Sequence, residues 1–324
     1  MKILILGGSG FIGLNLAKQL NEKFNIGDQL VLADNFSRGK DDVDLNEFLN
    51  QFPAIKLYDC DLTIAESFDL FEGIYDHVYL LASMVGVKNC ELYPEKVIQT
   101  NTNIILNTLN WMIKSSSKKI FFSSTSENYA GAYDFDILEI PTPEKVPLVI
   151  TDIKNPRFSY AITKIWGEAA VTFYGQKYGF KTVIGRYHNV YGPRMGYDHV
   201  IPQLFKQLFS NPAVLKVMNP DHTRSFCYVS DAVKATIMLM EINQTDIIVH
   251  IGDMRAETKI EDLAKKLIKI VGVNIGLETT AAPFGSVSRR LPSTELLFNL
   301  TGFEPTISLE KGLEETYLWY SKQK

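Results

Sequence analysis

Tyr160 and Lys164 are spaced so that they could transfer a proton together. They lie four residues apart, which places both side chains on one face of a helix. A neighbouring cation lowers the pKa of a tyrosine and orients its hydroxyl group, so that the tyrosine can act as an acid or a base. The pair comes later in the chain than the stretch Ser123–Tyr129, and this stretch directly follows the apolar run Ile120–Phe122, a predicted strand. This position favours a catalytic role, because the carboxyl ends of strands in an α/β sheet face the ligand crevice.

A second segment with chemical character is the glycine-rich stretch Gly7-Gly8-Ser9-Gly10-Phe11-Ile12-Gly13. It follows a short apolar run and opens a helical pattern, so backbone N–H groups and the helix dipole would face a phosphate. Gly7 permits a tight turn, Gly10 lets the backbone approach a pyrophosphate, and Gly13 lets helix and strand pack closely. Asp34 comes about 20 residues later, where a carboxylate accepts hydrogen bonds from the adenosine ribose. The pattern predicts NAD binding.

Two further residues leave alternatives open. The Asp34 carboxylate would repel a 2′-phosphate, which favours NAD over NADP, but Arg38 is close enough in sequence to accommodate that phosphate. Asp61 follows the third predicted strand and could accept a hydrogen bond from the adenine amino group. It could equally be a carboxylate that only stabilises a turn.

The elements that must position these residues alternate along the chain. Short branched or aromatic runs predict strands buried on both faces of a parallel sheet. These runs are Ile3–Leu6, Leu30–Ala33, Ile55–Tyr58, Val78–Ala82, Ile120–Phe122, Val183–Tyr187 and Ile247–Ile251. Segments with helical periodicity lie among them and after them. They are Phe11–Lys23, Pro94–Lys114, Tyr160–Tyr178, Pro202–Phe209, Asp231–Ile242, Ile260–Val271 and Leu309–Tyr320.

This alternation predicts an α/β fold, a Rossmann-type doubly wound parallel sheet with a smaller, interleaved C-terminal α/β substrate domain. The NAD-binding domain is expected to cover residues 1–189, with residues 226–253 returning to it. Residues 190–225 and 254–324 are expected to form the second domain.

Composition excludes several classes of protein. The chain has 324 residues with 37 acidic and 33 basic side chains, a net charge of -4, which argues against nucleic-acid binding. Cys60, Cys90 and Cys227 are far apart and form no CxxC pair, so neither disulfides nor a metal site is expected. The N-terminal apolar run is too short for a signal peptide, and no apolar stretch is long enough to span a membrane. We therefore expect a cytoplasmic protein without a membrane partner.

Several motifs, taken together, resemble one family across nearly the whole chain. Besides Gly7, Gly10, Gly13, Tyr160 and Lys164, they are Asp34–Gly39, Asp61-Leu62, Leu81-Ala82, Thr125–Tyr129, Arg186–Arg194, Arg224 with Tyr228–Asp231, Arg290–Pro292 and Gly302–Pro305. The sequence resembles the extended short-chain dehydrogenases/reductases, the NAD-dependent nucleotide-sugar epimerases, dehydratases and decarboxylases. Asn128 departs from the family pattern, which usually has valine there.

The resemblance implies roles for individual residues. Thr125 would bind the sugar 4-hydroxyl, Tyr160 would deprotonate it, and Lys164 would bind the nicotinamide ribose and hold Tyr160 acidic. The implied cofactor-binding residues are Gly7, Gly10, Phe11, Ile12, Gly13, Asp34, Asn35, Asp61, Leu62, Leu81, Ala82, Tyr160 and Lys164. The implied substrate-binding residues are Ser126, Asn189, Arg224 and Arg290, the last three holding a diphosphate. For the arginines, surface ion pairing is the alternative.

Glu127 is the residue that distinguishes the reactions of the family. All members first form a 4-keto sugar, and the sequence Thr125-Ser126-Glu127 resembles that of UDP-glucuronate decarboxylases rather than of 4,6-dehydratases. There Glu127 would be a second acid or base near C5; alternatively it is a structural carboxylate. A GDP-manno-sugar or GDP-heptose 4-dehydrogenase or epimerase, and a non-catalytic NAD-binding regulator, remain alternatives. A role in surface polysaccharide precursor synthesis is implied by the family alone.

The resemblance also implies self-association. In the family, the helices predicted at Pro94–Lys114 and Tyr160–Tyr178 pair across a twofold axis, so a homodimer or a dimer of dimers is expected. Five apolar residues could serve that seam or the core of one chain. They are Ile104, Leu109, Trp166, Val171 and Phe173.

Overall fold

The computed structural model describes residues 1–38, 42–280 and 287–323. Gly39, part of one family motif, lies outside the described residues. The strands are β1 (Lys2–Leu6), β2 (Gln29–Asp34), β3 (Lys56–Asp59), β4 (His77–Leu80), β5 (Lys119–Thr125), β6 (Lys181–Tyr187), β7 (Val190–Tyr191), β8 (Val214–Met218), β9 (Thr223–Ser225), β10 (Cys227–Tyr228), β11 (Ile247–Ile251), β12 (Glu257–Lys259), β13 (Gly276–Thr280) and β14 (Arg289–Arg290).

The helices largely follow the predicted periodic segments. They are α1 (Phe11–Glu22), α2 (Val43–Gln51), α3 (Val87–Leu92), α4 (Pro94–Ser115), α5 (Ala130–Asp134), α6 (Phe158–Tyr178), α7 (Val200–Phe209), α8 (Val229–Glu241), α9 (Ile260–Val271), α10 (Glu295–Thr301) and α11 (Leu309–Ser321). Short 3-10 helices cover Ala65–Leu70 and Ser126–Tyr129. Helix α4 begins at Pro94, whose missing N–H costs nothing in a first turn. Helix α6 ends at Tyr178 and is capped by Gly179, which adopts a left-handed conformation with φ 82°.

The main sheet has seven strands in the order β11-β6-β5-β4-β1-β2-β3. Strand β1 pairs in parallel with both β2 and β4, so the chain order reverses beside β1. In open α/β sheets, ligands bind at the carboxyl ends of the strands next to such a reversal. The segments that follow β1, β4 and β5 are therefore expected to form the site.

Two compact units make up the chain. The first comprises Met1–Asn128, Asp152–Arg186 and Val233–Val249, and the second comprises Tyr129–Thr151, Tyr187–Ala232 and His250–Lys324. Residues 129–151, which the sequence analysis assigns to the NAD-binding domain, thus cluster with the second unit. Which unit binds which ligand stays a proposal.

The core of the first unit explains why its strands read as continuous apolar runs. Residues 3–6 of β1 are fully buried because both faces of the sheet are covered. Aromatic rings fill the space between the sheet and α4, with Trp111 in contact with Phe68, Phe71 and Tyr75. The second unit has smaller sheets, one of three strands in the order β12-β9-β14 and two of two strands, β10-β7 and β13-β8.

The five apolar residues considered for a helix seam divide into two groups. Ile104, Leu109 and Val171 are buried within the core of the first unit. Trp166 and Phe173 on α6 remain 37% and 66% exposed in the single chain. Among the described residues, no helix is both long and apolar enough to cross a membrane.

Candidate active site

The glycine loop has the geometry of a phosphate cradle. Gly7 has φ 92°, and its N–H donates to the Ala33 carbonyl at 2.8 Å. A Cβ atom on Gly13 would lie 2.1 Å from the Gly7 carbonyl oxygen, so a side chain there would force helix and loop apart. Helix α1 begins directly after Gly10, which has no side chain that could cap the first turn. The loop therefore leaves room at a helix N-terminus for an anion such as a pyrophosphate.

Asp34 ends β2 beside this loop. Its carboxylate is largely buried and accepts hydrogen bonds from the N–H groups of Ser9 and Phe36, both at 3.0 Å. These two bonds hold a negative charge next to the glycine loop, as recognition of the ribose hydroxyls of NAD requires. The residues present thus fit a dinucleotide.

The other predicted cofactor residues lie at the same strand ends or in the adjacent loops. Leu81 and Ala82 follow β4, and their N–H groups both donate to the Leu6 carbonyl, at 2.9 and 2.8 Å. The Asp61 carboxylate accepts from the Thr63 N–H at 2.9 Å, so it stabilises the turn after β3. Asn35 forms a similar turn, accepting from the Ser37 N–H at 3.1 Å.

Leu62, Phe11 and Ile12 complete the predicted cofactor set. Leu62 is buried in the core of the first unit, which gives it a packing role. Phe11 and Ile12 form the first turn of α1 and are half-buried.

Tyr160, Thr125 and Glu127 come together in the first unit. The Thr125 and Tyr160 side chains form a hydrogen bond. Burial raises the pKa of Tyr160 well above its ordinary value, the Glu127 carboxylate raises it further, and the Thr125 hydrogen bond and Arg38 lower it. Without other groups bound, the site therefore holds Tyr160 protonated.

Lys164 lies one helical turn beyond Tyr160 and is 2% exposed. Its Nζ donates to the Ser123 carbonyl at 2.8 Å and lies 5.6 Å from the centre of the Tyr160 ring. Burial lowers the pKa of Lys164 to about 7, while Glu168 raises it. The lysine is thus close to its point of deprotonation near neutral pH.

Arg157 is a member of this cluster that the sequence analysis did not identify. Its guanidinium lies 4.0 Å from the Glu127 carboxylate, and both side chains are partly exposed. The Glu127 backbone N–H donates to Thr125 Oγ1 at 3.2 Å, which fixes the backbone of that loop. Arg157 precedes Tyr160 by three residues, and this helical spacing was the available signal.

Glu168 and Arg186 form a buried ion pair that the sequence analysis also missed as a pair. Arg186 Nε and Nη2 donate to the two carboxylate oxygens of Glu168 at 2.8 and 2.6 Å. Glu168 follows Lys164 by four residues on α6, and Arg186 lies on β6.

In the second unit, the predicted phosphate-binding arginines lie side by side. Arg290 on β14 is paired in register with Arg224 on β9. The Arg224 guanidinium donates to the carbonyls of Thr223 and Val287 at 2.7 and 2.8 Å, so it also stabilises the local fold. The pKa of the His222 imidazole is lowered by burial first, and then by Arg224 and Arg290. Concentrated positive charge of this kind is suited to an anionic ligand.

Asn189 and Ser126, the remaining predicted substrate residues, lie in different units. Asn189, in the second unit, has φ 39°, and its Nδ2 donates to the Ser225 carbonyl at 3.2 Å. Ser126, in the first unit, is largely buried between Thr125 and Glu127.

Comparison with known proteins places these features in one family. A model of the NAD dependent epimerase/dehydratase family matches residues 3–252. The chain belongs to this family. The match confirms the predicted family, the Rossmann-type α/β fold, an NAD-dependent enzyme, and NAD as the cofactor.

Members of the NAD dependent epimerase/dehydratase family similar to this chain include two decarboxylases. The UDP-N-acetyl-alpha-D-glucosaminuronate decarboxylase of Bacillus cytotoxicus is 31% identical over 98% of this chain and 97% of its own length. UDP-glucuronic acid decarboxylase 3 of Arabidopsis thaliana is 31% identical over 97% of this chain and 87% of its own length. The UDP-glucose 4-epimerase of Thermotoga maritima, solved with UDP-glucose, has a TM-score of 0.85 and is 29% identical, covering 100% of this chain and 99% of that one.

Proposed function

We propose that this enzyme decarboxylates a UDP-linked uronic acid through a 4-keto intermediate. The observation that carries the proposal is Glu127, a carboxylate whose charge raises the pKa of Tyr160 and which lies 4.0 Å from the Arg157 guanidinium. Simple 4-epimerisation needs only Thr125 and Tyr160, whereas decarboxylation also needs an acid or base near C5. Two relatives named as uronate decarboxylases, each 31% identical over nearly the whole chain, support this choice.

The residues of the first unit divide the chemistry between them. NAD, held by the glycine loop and Asp34, would supply the acceptor for the hydride that leaves the sugar C4. Thr125 positions the 4-hydroxyl group and Tyr160 takes its proton, with Lys164 holding the tyrosine. The 4-ketone then makes the C5–C6 bond easy to break: its electron pair passes toward C5 and the ketone oxygen, and carbon dioxide leaves. Glu127, after taking up a proton from solvent, delivers it to C5. C4 then regains its hydride, and Tyr160 returns its proton to the 4-oxygen, so the 4-ketone is only an intermediate.

We assign binding of the substrate diphosphate to Arg224, Arg290 and Asn189 of the second unit. Ser126 is a further proposed substrate-binding residue. Guanidinium groups match the geometry of phosphate oxygens. Because the two similar decarboxylases are named for UDP sugars, we expect a thermal-shift panel in the presence of NAD to respond to UDP more than to GDP, dTDP or CDP. A GDP-selective shift would favour the GDP-manno-sugar or GDP-heptose alternative.

The Glu127→Gln variant tests the proposed reaction. We expect it to form the 4-keto species from UDP-glucuronate, detected by mass spectrometry, while release of carbon dioxide falls by about 10²-fold or more. Glu91→Gln, at an exposed position on α3, is the matched control and should behave as the wild type. Unchanged carbon dioxide release from Glu127→Gln would refute a role for this residue.

A 4-epimerase is the second candidate, supported by the 29% identity to the Thermotoga maritima enzyme. It predicts that wild-type protein converts UDP-glucose to UDP-galactose without loss of mass. Absence of turnover on any UDP, GDP, dTDP or CDP sugar, with NAD bound, would instead favour a non-catalytic regulator.

The cellular setting belongs to the same proposal. A nucleotide sugar lacking its C6 carboxylate would serve the synthesis of surface polysaccharide precursors, and a cytoplasmic location suits that role. The exposed Trp166 and Phe173 on α6 support a homodimer or a dimer of dimers.

A further inference from the structure

A buried hydrogen-bond network lies directly behind the catalytic residues proposed above. Its centre is the Glu168 carboxylate, and its second charge is the Arg186 guanidinium; both side chains are at most 5% exposed. Tyr160, Lys164 and Glu168 recur every four residues on α6 and so lie along one side of the helix. The two proposed catalytic residues and the network centre are therefore placed by a single helix.

The network also holds the end of β5. Ser124 Oγ donates to Glu168 Oε1 at 2.5 Å, and Asn128 Nδ2 donates to the same oxygen at 2.9 Å. Asn128 Nδ2 additionally lies 3.1 Å from Ser124 Oγ. These donors lie on either side of Thr125 and Glu127 in the chain. Asn128, noted above as a departure from the family pattern, thus acts as a donor to Glu168.

Two anchors consequently fix the strand end against the helix. One is the hydrogen bond from Lys164 Nζ to the Ser123 carbonyl. The other is the acceptance by Glu168 of the Ser124 and Asn128 donors, one helical turn further along. A segment that is anchored on both sides of its reactive residues keeps the positions of those residues nearly constant during turnover.

The charge of Glu168 has a second effect. Lys164 is faced by Tyr160 and Glu168 on α6, and by the Ser123 carbonyl and the Phe122 ring on β5, while Arg186 reaches Glu168 from β6. Among these groups, Glu168 supplies the negative charge that opposes the loss of the lysine proton. A neutral Lys164 could no longer stabilise a developing tyrosinate.

We propose that Glu168 is a positioning residue: its carboxylate, paired with Arg186, fixes the strand end that carries Thr125 and Glu127 and places a negative charge one helical turn from Lys164. This inference rests on the proposed roles of Tyr160 and Lys164. If the pair had only a structural role, a well-packed neutral pair could replace it without loss of activity. The proposal predicts instead that activity depends on the two charges.

The test is the double variant Glu168→Gln/Arg186→Gln, which removes both charges of the pair together, so that neither Glu168 nor Arg186 is left without its partner. We expect kcat to fall about 10²-fold with little change in KM, because positioning and not substrate contact is lost. We also expect the alkaline limb of the kcat profile to move to lower pH by about one unit, because Lys164 loses its anion. Ser124→Ala, a milder change, should lower kcat in the same direction.

Two controls separate the possible failures. Thr182→Val removes another side-chain hydrogen bond of the first unit, from the buried Thr182 to the exposed Asp246 at 2.8 Å, and should lower stability without moving the pH limb. Tyr160→Phe in the same assay tests the proposed chemistry: its full activity would refute the proposed function, whatever the network does.

A measurement without NAD gives an independent readout. The pH at which stability toward urea begins to rise should shift downward in the double variant, since that onset reports the deprotonation of Lys164. If Tyr160→Phe is inactive but the double variant keeps the wild-type pH limb and the wild-type onset, the positioning role of Glu168 is wrong.

Discussion

The cluster around Tyr160 in the first unit and the pair of arginines in the second unit are built in opposite ways. Tyr160, Lys164 and Glu168 are side chains on one helix, bonded to the end of one strand, and the lysine and glutamate are almost completely buried. Arg224 and Arg290 are half-buried neighbours on two short parallel strands, where main-chain carbonyls accept from the Arg224 guanidinium.

This difference separates two tasks. A cluster whose donors and acceptors are fixed by buried partners has its geometry set before a ligand arrives, as acceleration of a reaction requires. Two like charges held near each other repel until an anion binds between or beside them, and that favours affinity. Changes in the first cluster should therefore alter kcat, and changes in the second should alter KM.

The largest effect is expected from Tyr160→Phe. Removing the proton acceptor should lower kcat about 10³-fold while the KM for the nucleotide sugar stays within a few-fold of wild type. Steady-state kinetics with the preferred substrate measures both constants. Tyr178→Phe, at the exposed end of the same helix, is the control and should be unchanged. If Tyr160→Phe instead changed KM and left kcat unaltered, the two clusters would not differ in the way proposed.

A smaller effect is expected from Arg290→Gln, and it should appear in KM rather than in kcat. Loss of a charge-assisted hydrogen bond to a phosphate should raise KM about tenfold or more, with kcat nearly unchanged. The neighbouring Arg289 offers a matched control, because its guanidinium is already bound to the Glu257 carboxylate at 2.7 and 2.9 Å. Equal effects of Arg289→Gln and Arg290→Gln would mean that the arginines act only through the local fold.

The smallest effect concerns the cofactor-free protein and its stability. Because burial lowers the pKa of Lys164 to about 7 and that of Lys119 to about 8, the unfolded chain binds more protons above neutrality. The free energy of unfolding should therefore rise from about pH 7 to pH 8.5. Above that range the rise should flatten, since burial raises the pKa of Cys60 to about 11 and raises that of Cys227 as well, so that these thiols ionise first in the unfolded chain. Urea unfolding across this range measures it.

Lys164→Met provides the sharper form of this measurement. The variant should lose a large part of the rise in stability, whereas Lys114→Met at an exposed site on α4 should keep it. If the dependence of the unfolding free energy on pH is unchanged in Lys164→Met, burial does not lower the pKa of this lysine.

Local pattern was sufficient to predict much of the molecule. The Gly7–Gly13 segment was identified because strand, turn and helix follow one another within a few residues, and α9 was predicted with the observed bounds, Ile260–Val271. Tyr160 and Lys164 were identified for the same reason, since their relation lies within one helical turn.

The features that were missed depend on packing between distant segments. Arg186 meets Glu168 from a neighbouring strand, and nothing in either local sequence specifies that partner. The carbonyls that accept from Arg224 include that of Val287, 63 residues away. Asp61 illustrates the intermediate case, because its turn role was one of two interpretations, and its hydrogen bond to Thr63 depends on the loop geometry.

The buried pair of Glu168 and Arg186 also constrains how this enzyme can change. Losing either charge alone leaves the other buried and uncompensated, at a cost of about 3–5 kcal/mol, a large share of the stability of an ordinary domain. Losing both together avoids that penalty. The two positions should therefore change together. A library that varies Glu168 on α6 but keeps Arg186 on β6 should contain few folded members, and folded variants at these positions should carry substitutions at both.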